Sequence, residues 1–279
     1  MYPAEFDYHR PENVSGAIQL LKDNPEAKLL AGGHSLLPVM KLRLAQPTAL
    51  IDISQLSELK GVSEDGDTLV IGAMTTYHEL MSSDVVKQKL PALVEAADNV
   101  GDIQVRNMGT IGGACAHCDP ASDFPAILLA LEAEIKSIGP DGERTQTSAE
   151  FFMDMFTPKL EPEEVVTEIR IPNVSNIANA TYLKFAHPAS GYAIVGIGAV
   201  RTNDGTVRLA VTGSVPIATR LTAVESEISG KELSEDNIKA ASDKAGDGLE
   251  FVGDIHASDQ YRAHLTTVYT RRALQKIAG

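Results

Sequence analysis

The sequence predicts an α+β protein with more than one compact unit. Its 279 residues exceed the usual size of a single domain, which is on the order of 100 to 150 residues. Strand-like runs alternate with helical patterns along the chain, and 43% hydrophobic with 22% charged residues is typical of a globular protein. From the turns and linkers between these patterns we predict three units, at residues 1–57, 58–177 and 178–279.

The first unit is predicted to be a small βα-type arrangement. Asn13 precedes an amphipathic helix from Val14 to Leu21. A strand at 28–31 runs into the sequence AGGHS, and a further strand is predicted at 49–53. The unit therefore places a glycine-rich turn directly after a strand.

The second unit begins with a strand predicted at 68–73. Thr76 and Glu79 then have the spacing of a capping box, which predicts helices continuing in pieces to about Asn99. The segment that starts at Gln104, QVRNMGTIGGACAHCDP, is expected to be a glycine-rich loop that ends in an Asp-Pro turn.

The rest of the second unit starts with a helix near Phe124, which leads to a strand ending in the turn 140–142. Thr147 and Glu150 repeat the capping-box spacing, and residues 165–171 alternate as a strand does.

The third unit follows a predicted linker, PNVSNIANA, at residues 172–180. Two strand-like runs flank the hairpin turn Asn203-Asp204-Gly205. Helices near 238–245 and 261–277 are predicted to close the chain.

Charge and hydropathy exclude several classes of protein. Acidic residues outnumber basic ones by 38 to 24, the net charge is -14, and no run of Lys or Arg forms a basic stripe. Binding to nucleic acid is therefore not expected. The longest apolar runs, 124–131 and 192–200, are too short to span a bilayer, and the N-terminus lacks signal-peptide character. We expect a soluble, cytoplasmic protein without a transmembrane segment.

The two cysteines, Cys115 and Cys118, lie in the sequence CAHC. Two cysteines exclude a disulfide framework, and with His117 alone between them they are too few for a zinc or iron-sulfur site made by this chain. We therefore interpret them as two buried free thiols and predict no metal site.

Two glycine-rich sequences carry the main functional prediction. They are AGGHS and TIGGA, the latter at residues 110–114. A diphosphate needs several backbone N–H groups without side chains in the way, which glycine-rich turns provide, and Ser35 and Thr110 add hydroxyl groups. Two such turns in one chain favour a dinucleotide bound between two units. Neither has the P-loop or Rossmann spacing, and the GxG at Gly196 is expected to be a pair of small residues on a crowded strand.

Three polar residues have more than one interpretation. His34 has no identifiable carboxylate or nucleophile partner, so a loop histidine beside a ligand is preferred over a general base. Asp123 fits a helix N-cap or an acceptor for a ribose. Lys184 lies within the apolar run TYLKFA, either on an exposed strand face or as a cation that serves a buried ligand.

Three segments together resemble a known family. The sequences AGGHSLLPVMKLRLAQPTALIDIS, QVRNMGTIGGACAHCDPASDFPA and EPEEVVTEIRIP, in this order, resemble the FAD-binding medium subunit of molybdenum hydroxylases, as found in the carbon monoxide dehydrogenase and xanthine dehydrogenase families. The resemblance covers essentially the whole chain. It implies a two-subdomain FAD-binding fold of the vanillyl-alcohol-oxidase (PCMH) type at 1–57 and 58–177, followed by a C-terminal α+β domain with an antiparallel sheet at 178–279.

The resemblance also implies which residues contact FAD, and it implies no catalytic residue in this chain. Tyr192 is expected near the isoalloxazine ring, and Lys184 close to the flavin would favour its anionic reduced form. The implied FAD contacts are Leu29, Leu30, Ala31, Gly32, Gly33, His34, Ser35, Leu36, Val100, Thr110, Ile111, Gly112, Gly113, Ala114, Asp123, Val166, Lys184 and Tyr192.

This chain departs from the family pattern at several positions. Ala114 stands where the family often has Asn, so a side-chain hydrogen bond to the cofactor is expected to be missing. Backbone contacts from Gly112 and Gly113 are expected to remain. His187 and Pro188 replace residues that are often basic in the family.

The function implied by the resemblance is electron transfer. FAD in this chain would pass electrons from the 2Fe-2S clusters of a small subunit to an external acceptor, while a large subunit would hold the molybdenum cofactor and the substrate. The expected assembly is a dimer of heterotrimers, a heterohexamer. Two alternatives are a self-contained flavin oxidoreductase, which the lack of an acid/base pair disfavours, and a non-catalytic scaffold subunit.

Overall fold

The computed structural model describes residues 1–279, and its first unit is a three-stranded parallel sheet with strand order β1-β3-β2. Helix α1 begins as predicted, because the Asn13 side chain accepts a hydrogen bond from the Gly16 N–H, and it buries Val14, Ala17, Ile18 and Leu21. The elements are β1 (Asp7–His9), α1 (Val14–Asp23), β2 (Lys28–Leu30), α2 (Leu36–Lys41) and β3 (Ala49–Asp52).

The second unit is a five-stranded antiparallel sheet with strand order β4-β5-β10-β6-β7. Both predicted capping boxes are present, at Thr76 with Glu79 and at Thr147 with Glu150. Its elements are β4 (Val62–Asp65), β5 (Thr68–Gly72), α3 (Tyr77–Ser82), α4 (Asp84–Lys89), α5 (Pro91–Asp98), α6 (Ile103–Met108), α7 (Ile111–His117), α8 (Phe124–Ala130), β6 (Glu134–Gly139), β7 (Gly142–Thr147), α9 (Ser148–Phe151), β8 (Phe152–Asp154), β9 (Thr157–Pro158) and β10 (Val165–Ile171).

The segment before Phe124 differs from the sequence prediction. The predicted glycine-rich loop contains two helices, α6 and α7, in place of an irregular loop. The Asp102 carboxylate caps α6 by accepting two backbone N–H groups, and the Thr110 hydroxyl caps α7 by accepting the Gly113 N–H. These caps were not identified in the sequence, where the glycines dominate the pattern.

The third unit is a four-stranded antiparallel sheet with strand order β11-β12-β13-β14. The hairpin at Asn203-Asp204-Gly205 and both closing helices are confirmed, whereas α10 was not predicted. The predicted linker at 172–180 is wrong in its second half, because β11 starts at Ile177 and pairs with β12. The elements are β11 (Ile177–Ala186), β12 (Ala193–Thr202), β13 (Val207–Thr212), β14 (Thr219–Arg220), α10 (Thr222–Ile228), α11 (Glu235–Ser242) and α12 (Asp259–Ala278).

Three hydrophobic clusters hold the chain together, one around each sheet. The clusters also join the units: Val165 of β10 packs in the cluster of the first sheet, and Tyr182 of β11 packs in that of the second. Burial of this apolar surface is the main stabilising contribution to the fold. No helix has both the length and the apolar character needed to cross a bilayer.

Candidate functional site

The AGGHS segment forms a tight turn between β2 and α2. Gly33 has a φ of 75°, a left-handed conformation that glycine adopts without a steric penalty. The backbone N–H groups of Gly32, Gly33, His34 and Ser35 donate no hydrogen bond within the chain, and the Ser35 side chain does not cap α2. Four consecutive free donors, three of them on half-buried residues, give this turn the properties of an anion-binding site.

Gly32 brings this turn into direct contact with the segment before α7. A Cβ at Gly32 would lie 1.8 Å from the carbonyl oxygen of Met108, so only glycine allows the two backbones to meet. A Cβ at Gly113 would lie 3.8 Å from that of Ala31. The two glycine sequences, about eighty residues apart in the chain, therefore adjoin.

The TIGGA sequence forms the N-cap and first turn of α7, and four of its five backbone N–H groups, those of residues 111–114, already donate hydrogen bonds within the chain. Those of Ile111 and Gly112 donate to the carbonyls of Thr75 and Ala73, at 3.2 and 2.9 Å. The N–H groups of Gly113 and Ala114 donate to the hydroxyl and the carbonyl of Thr110.

The N–H groups of Gly112 and Gly113 are therefore paired within the chain, by the Ala73 carbonyl just after β5 and by the Thr110 cap. Backbone contact of these two glycines with the cofactor stays a prediction. Of the five TIGGA residues only Gly113 is half-buried, and the other four are buried. Ala114 is itself 8% exposed, so little of it can reach a ligand.

A second polar cluster, Asp123, Tyr182 and Lys184, lies where α8 meets β11. The Lys184 ammonium donates to an Asp123 carboxylate oxygen at 2.9 Å and to the Asn99 carbonyl at 2.7 Å. The Tyr182 hydroxyl donates to the other carboxylate oxygen of Asp123 at 2.6 Å. The Lys184 side chain is 1% exposed, so its interpretation as an exposed strand residue is wrong.

Asp123 precedes α8 but is not a side-chain cap. Burial raises the pKa of its carboxyl above the ordinary value, although Lys184 and the Tyr182 hydroxyl stabilise the charged form. Burial, together with the nearby Asp123 charge, raises the pKa of the Tyr182 phenol well above its usual range. Two of the three N–H groups of Lys184 are paired within the chain, and the third has no hydrogen-bond partner in the chain.

The glycines of β12 make room for this cluster. Gly196 and Gly198 pair with Lys184 and Tyr182 on β11. A Cβ at Gly196 would lie 2.2 Å from the Tyr182 hydroxyl, and one at Gly198 would lie 2.7 Å from the Ile127 Cα. The interpretation of this GxG as small residues on a crowded strand is confirmed.

Three further residues expected near the cofactor have different surroundings. Val100 is half-buried and follows Asn99, which binds Lys184. Tyr192, 48% exposed, follows Gly191, which packs against the Gly101 backbone. Val166 is 6% exposed and belongs to the core of the second unit, so its side chain offers almost no open surface.

His34 and Tyr77 complete the surroundings of the two clusters. His34 is exposed, and its Nδ1 lies 3.0 Å from the Gly32 carbonyl oxygen. The Tyr77 N–H donates to the Gly109 carbonyl, and its ring stacks on Phe124 with centroids 5.1 Å apart. Tyr77 therefore links the segment before α7 to the helix that follows Asp123.

The two cysteines are free and buried, as predicted. Burial raises the pKa of Cys118 to about 11, and that of Cys115 rises further for the same reason. Both remain thiols at neutral pH, which makes them poor metal ligands. No group of three or more potential metal-ligating His, Cys, Asp or Glu side chains occurs in the chain.

Tyr182 and Asn99, which bind Asp123 and Lys184, are residues of the site that the sequence analysis missed. The run TYLKFA contains a usable signal, because residues two apart on a strand face the same side and Tyr182 therefore shares a face with Lys184. The sequence gives no sign that Asp123, 61 residues before Lys184, lies against that face.

Comparisons with known proteins identify the family of the chain. The FAD binding domain in molybdopterin dehydrogenase matches residues 4–174, and the CO dehydrogenase flavoprotein C-terminal domain matches residues 180–277. The chain is 41% identical to the carbon monoxide dehydrogenase medium chain of Hydrogenophaga pseudoflava, over 98% of this chain and 97% of the relative. It is 36% identical to the glyceraldehyde dehydrogenase medium chain of Sulfolobus acidocaldarius, over the full length of both.

A solved structure confirms the predicted fold class. The carbon monoxide dehydrogenase from Hydrogenophaga pseudoflava contains a chain of 42% identity that superposes with a TM-score of 0.94, covering 99% of this chain and 98% of that one. An FAD-binding domain followed by the C-terminal flavoprotein domain spans almost the whole sequence. The chain therefore belongs to the family of FAD-binding medium subunits of molybdenum-containing dehydrogenases and is an oxidoreductase subunit with an FAD-binding domain.

Proposed function

We propose that this chain holds FAD across the contact between its first two units and passes electrons from the 2Fe-2S clusters of a partner subunit to an external acceptor. The observation that carries the proposal is the row of four free N–H groups from Gly32 to Ser35, next to the backbone of Met108. Such a row suits the two negative charges of a diphosphate. The division at residues 57 and 177 is part of the proposal.

The residues present fit this cofactor in two regions. The glycine turn would hold the diphosphate through backbone donors, with Gly113 of α7 as the neighbouring wall. The buried Lys184 ammonium would lie beside the cofactor and act on it through its charge, and half-exposed Tyr192 would lie against the ring. FAD, when bound, supplies the capacity to accept two electrons and to release them singly.

The remaining implied contacts are proposed on the same basis. Leu29, Leu30, Ala31 and Leu36 flank the free donors and are half-buried, so they can pack against the cofactor while excluding water. For Ile111, Gly112, Ala114 and Val166, which are buried, contact with FAD stays a prediction.

We also propose the partners. A large subunit would hold the molybdenum cofactor and the substrate, and a small subunit would supply the iron-sulfur clusters, in a dimer of heterotrimers. This chain's two cysteines are buried and too few to hold such clusters, which supports placing the clusters in a separate subunit. The cytoplasmic location expected from the sequence stays a prediction.

Gly33→Asp tests the electron-transfer proposal in the assembled complex. A carboxylate among the free donors would repel the diphosphate, and like-charge contacts cost several kcal/mol, so bound FAD should fall by roughly tenfold or more. Transfer to the acceptor should fall in proportion, while the partner's iron-sulfur clusters should still be reduced by substrate. Flavin absorbance and acceptor reduction are the two measurements.

Gly66→Asp is the matched control. Gly66 also has a positive φ, 61°, and a Cβ there meets no other atom within 4 Å. This variant should retain its FAD. A complex that loses FAD through Gly33→Asp yet reduces the acceptor at the original rate would contradict the electron-transfer role and favour a scaffold subunit.

A further inference from the structure

The positive charge of Lys184 is not isolated within the cluster of Asp123, Tyr182 and Lys184. A lysine near a flavin stabilises negative charge on it, but the Lys184 ammonium is already paired with a buried carboxylate 2.9 Å away. The charge that Lys184 presents to its surroundings therefore depends on whether Asp123 stays in place and stays ionised.

Tyr182 controls the orientation of that carboxylate. Its hydroxyl donates to one oxygen of Asp123 while Lys184 binds the other, so the carboxylate is fixed from two sides. The Tyr182 side chain is fully buried, and the missing Cβ of Gly196 leaves space for the hydroxyl. The ring therefore has little room to turn away from Asp123.

We propose that Tyr182 is a positioning residue, which holds the Asp123 carboxylate against Lys184 and so keeps the ammonium next to the flavin electrically compensated. The proposal rests on the function proposed above, since it places the flavin beside Lys184. It changes the expected role of Lys184, which would act on the flavin as one half of an ion pair and not as a free cation.

The charge next to the flavin should depend on pH, because Asp123 can be protonated. A hydrogen bond to the ionised carboxylate favours the charged form, so the Tyr182 hydroxyl opposes the effect of burial on the pKa of Asp123. When Asp123 becomes protonated at low pH, Lys184 loses its compensating charge, and the reduced flavin becomes more favourable. The ionisable groups that act on Asp123 or respond to its charge are Lys184, Tyr182, Asp119, Tyr77 and Tyr192.

The first experiment needs no cofactor. Carbon-13 NMR of labelled aspartate in the full flavin-free chain follows the Asp123 carboxyl, which Asp123→Asn assigns. In Tyr182→Phe, which keeps the ring and loses the hydroxyl, we expect the titration midpoint to rise by about one pH unit, because the ionised carboxylate loses a hydrogen bond that favours the charged form. An unchanged midpoint would overturn the positioning role.

Tyr77→Phe is the matched control. Tyr77 is also buried and lies close enough to feel the Asp123 charge, but its hydroxyl makes no hydrogen bond to that carboxylate. Its removal should leave the Asp123 midpoint where it is. A rise as large as that in Tyr182→Phe would show that general loss of polarity, and not the hydrogen bond, controls Asp123.

The second experiment tests the link to the flavin in the assembled complex, after flavin content has been measured. The midpoint potential of bound FAD, followed against pH, should change slope at the Asp123 midpoint, at a higher pH in Tyr182→Phe. In Asp123→Asn this change of slope should vanish, and the potential at neutral pH should rise. Full flavin content with identical pH profiles in all variants would overturn the compensation, whereas absence of FAD from the unaltered complex would instead refute the proposed function.

Discussion

Gly32→Ala is expected to abolish FAD binding with less effect on the rest of the fold. The added methyl would lie 1.8 Å from the Met108 carbonyl oxygen and 2.5 Å from its carbonyl carbon, both backbone atoms that cannot rotate aside. The glycine turn and the segment before α7 must therefore separate. Displacing donors by about 1 Å can cost on the order of a hundredfold in function. Flavin absorbance of the purified chain and FAD titration measure the loss.

Gly16→Ala is the control for this variant. It is the same substitution in the same unit, but the nearest atoms to the new Cβ are 3.4 Å away and the residue lies within α1. Because alanine favours helix over glycine by about 1 kcal/mol, this variant should bind FAD normally and be slightly more stable. Normal FAD affinity in Gly32→Ala would refute the placement of the diphosphate at this turn.

Lys184→Met is expected to destabilise the chain strongly at neutral pH. Removing one partner of a buried ion pair leaves the other charge uncompensated, which typically costs about 3–5 kcal/mol. Asp123 would keep its hydrogen bond from Tyr182 but lose the ammonium. Urea unfolding of the full chain measures the free energy of unfolding.

The pH dependence of this loss follows from the raised pKa of Asp123. Burial raises the folded-state pKa above the unfolded value, so the folded chain holds this proton longer, and stability from this group falls as pH rises between the two values. Loss of Lys184 raises the folded-state pKa of Asp123 further, and so widens the pH range over which stability falls. The difference between Lys184→Met and the unaltered chain should therefore be small at about pH 5 and large at about pH 8.

The double variant Asp123→Asn with Lys184→Met separates charge from packing. It removes both members of the pair, so most of the stability lost in Lys184→Met should return at neutral pH. If the single and double variants were equally unstable at both pH values, the lost free energy of unfolding would come from packing. The buried ion pair would then contribute nothing to it.

Local signals in the sequence predicted many of the elements correctly. Both capping boxes depend on residues three apart, and the hairpin at Asn203-Asp204-Gly205 depends on three consecutive residues, so short-range hydrogen bonds are enough to specify them. The Asp102 and Thr110 caps are equally local, but the surrounding glycines led to the prediction of a loop.

The sequence by itself determined the two glycine motifs, the family and the absence of enough cysteines for a cluster, because residue type and order carry that information. Only the tertiary structure decided which glycine motif keeps free donors. The Gly112 N–H donates to the carbonyl of Ala73, just after β5, whereas the turn at Gly32 packs against the backbone of Met108 and Gly109 without using its own N–H groups. Likewise, Lys184 of β11 forms an ion pair with Asp123 because β11 packs against the start of α8. Electrostatic pairing depends on distance in space and not in sequence.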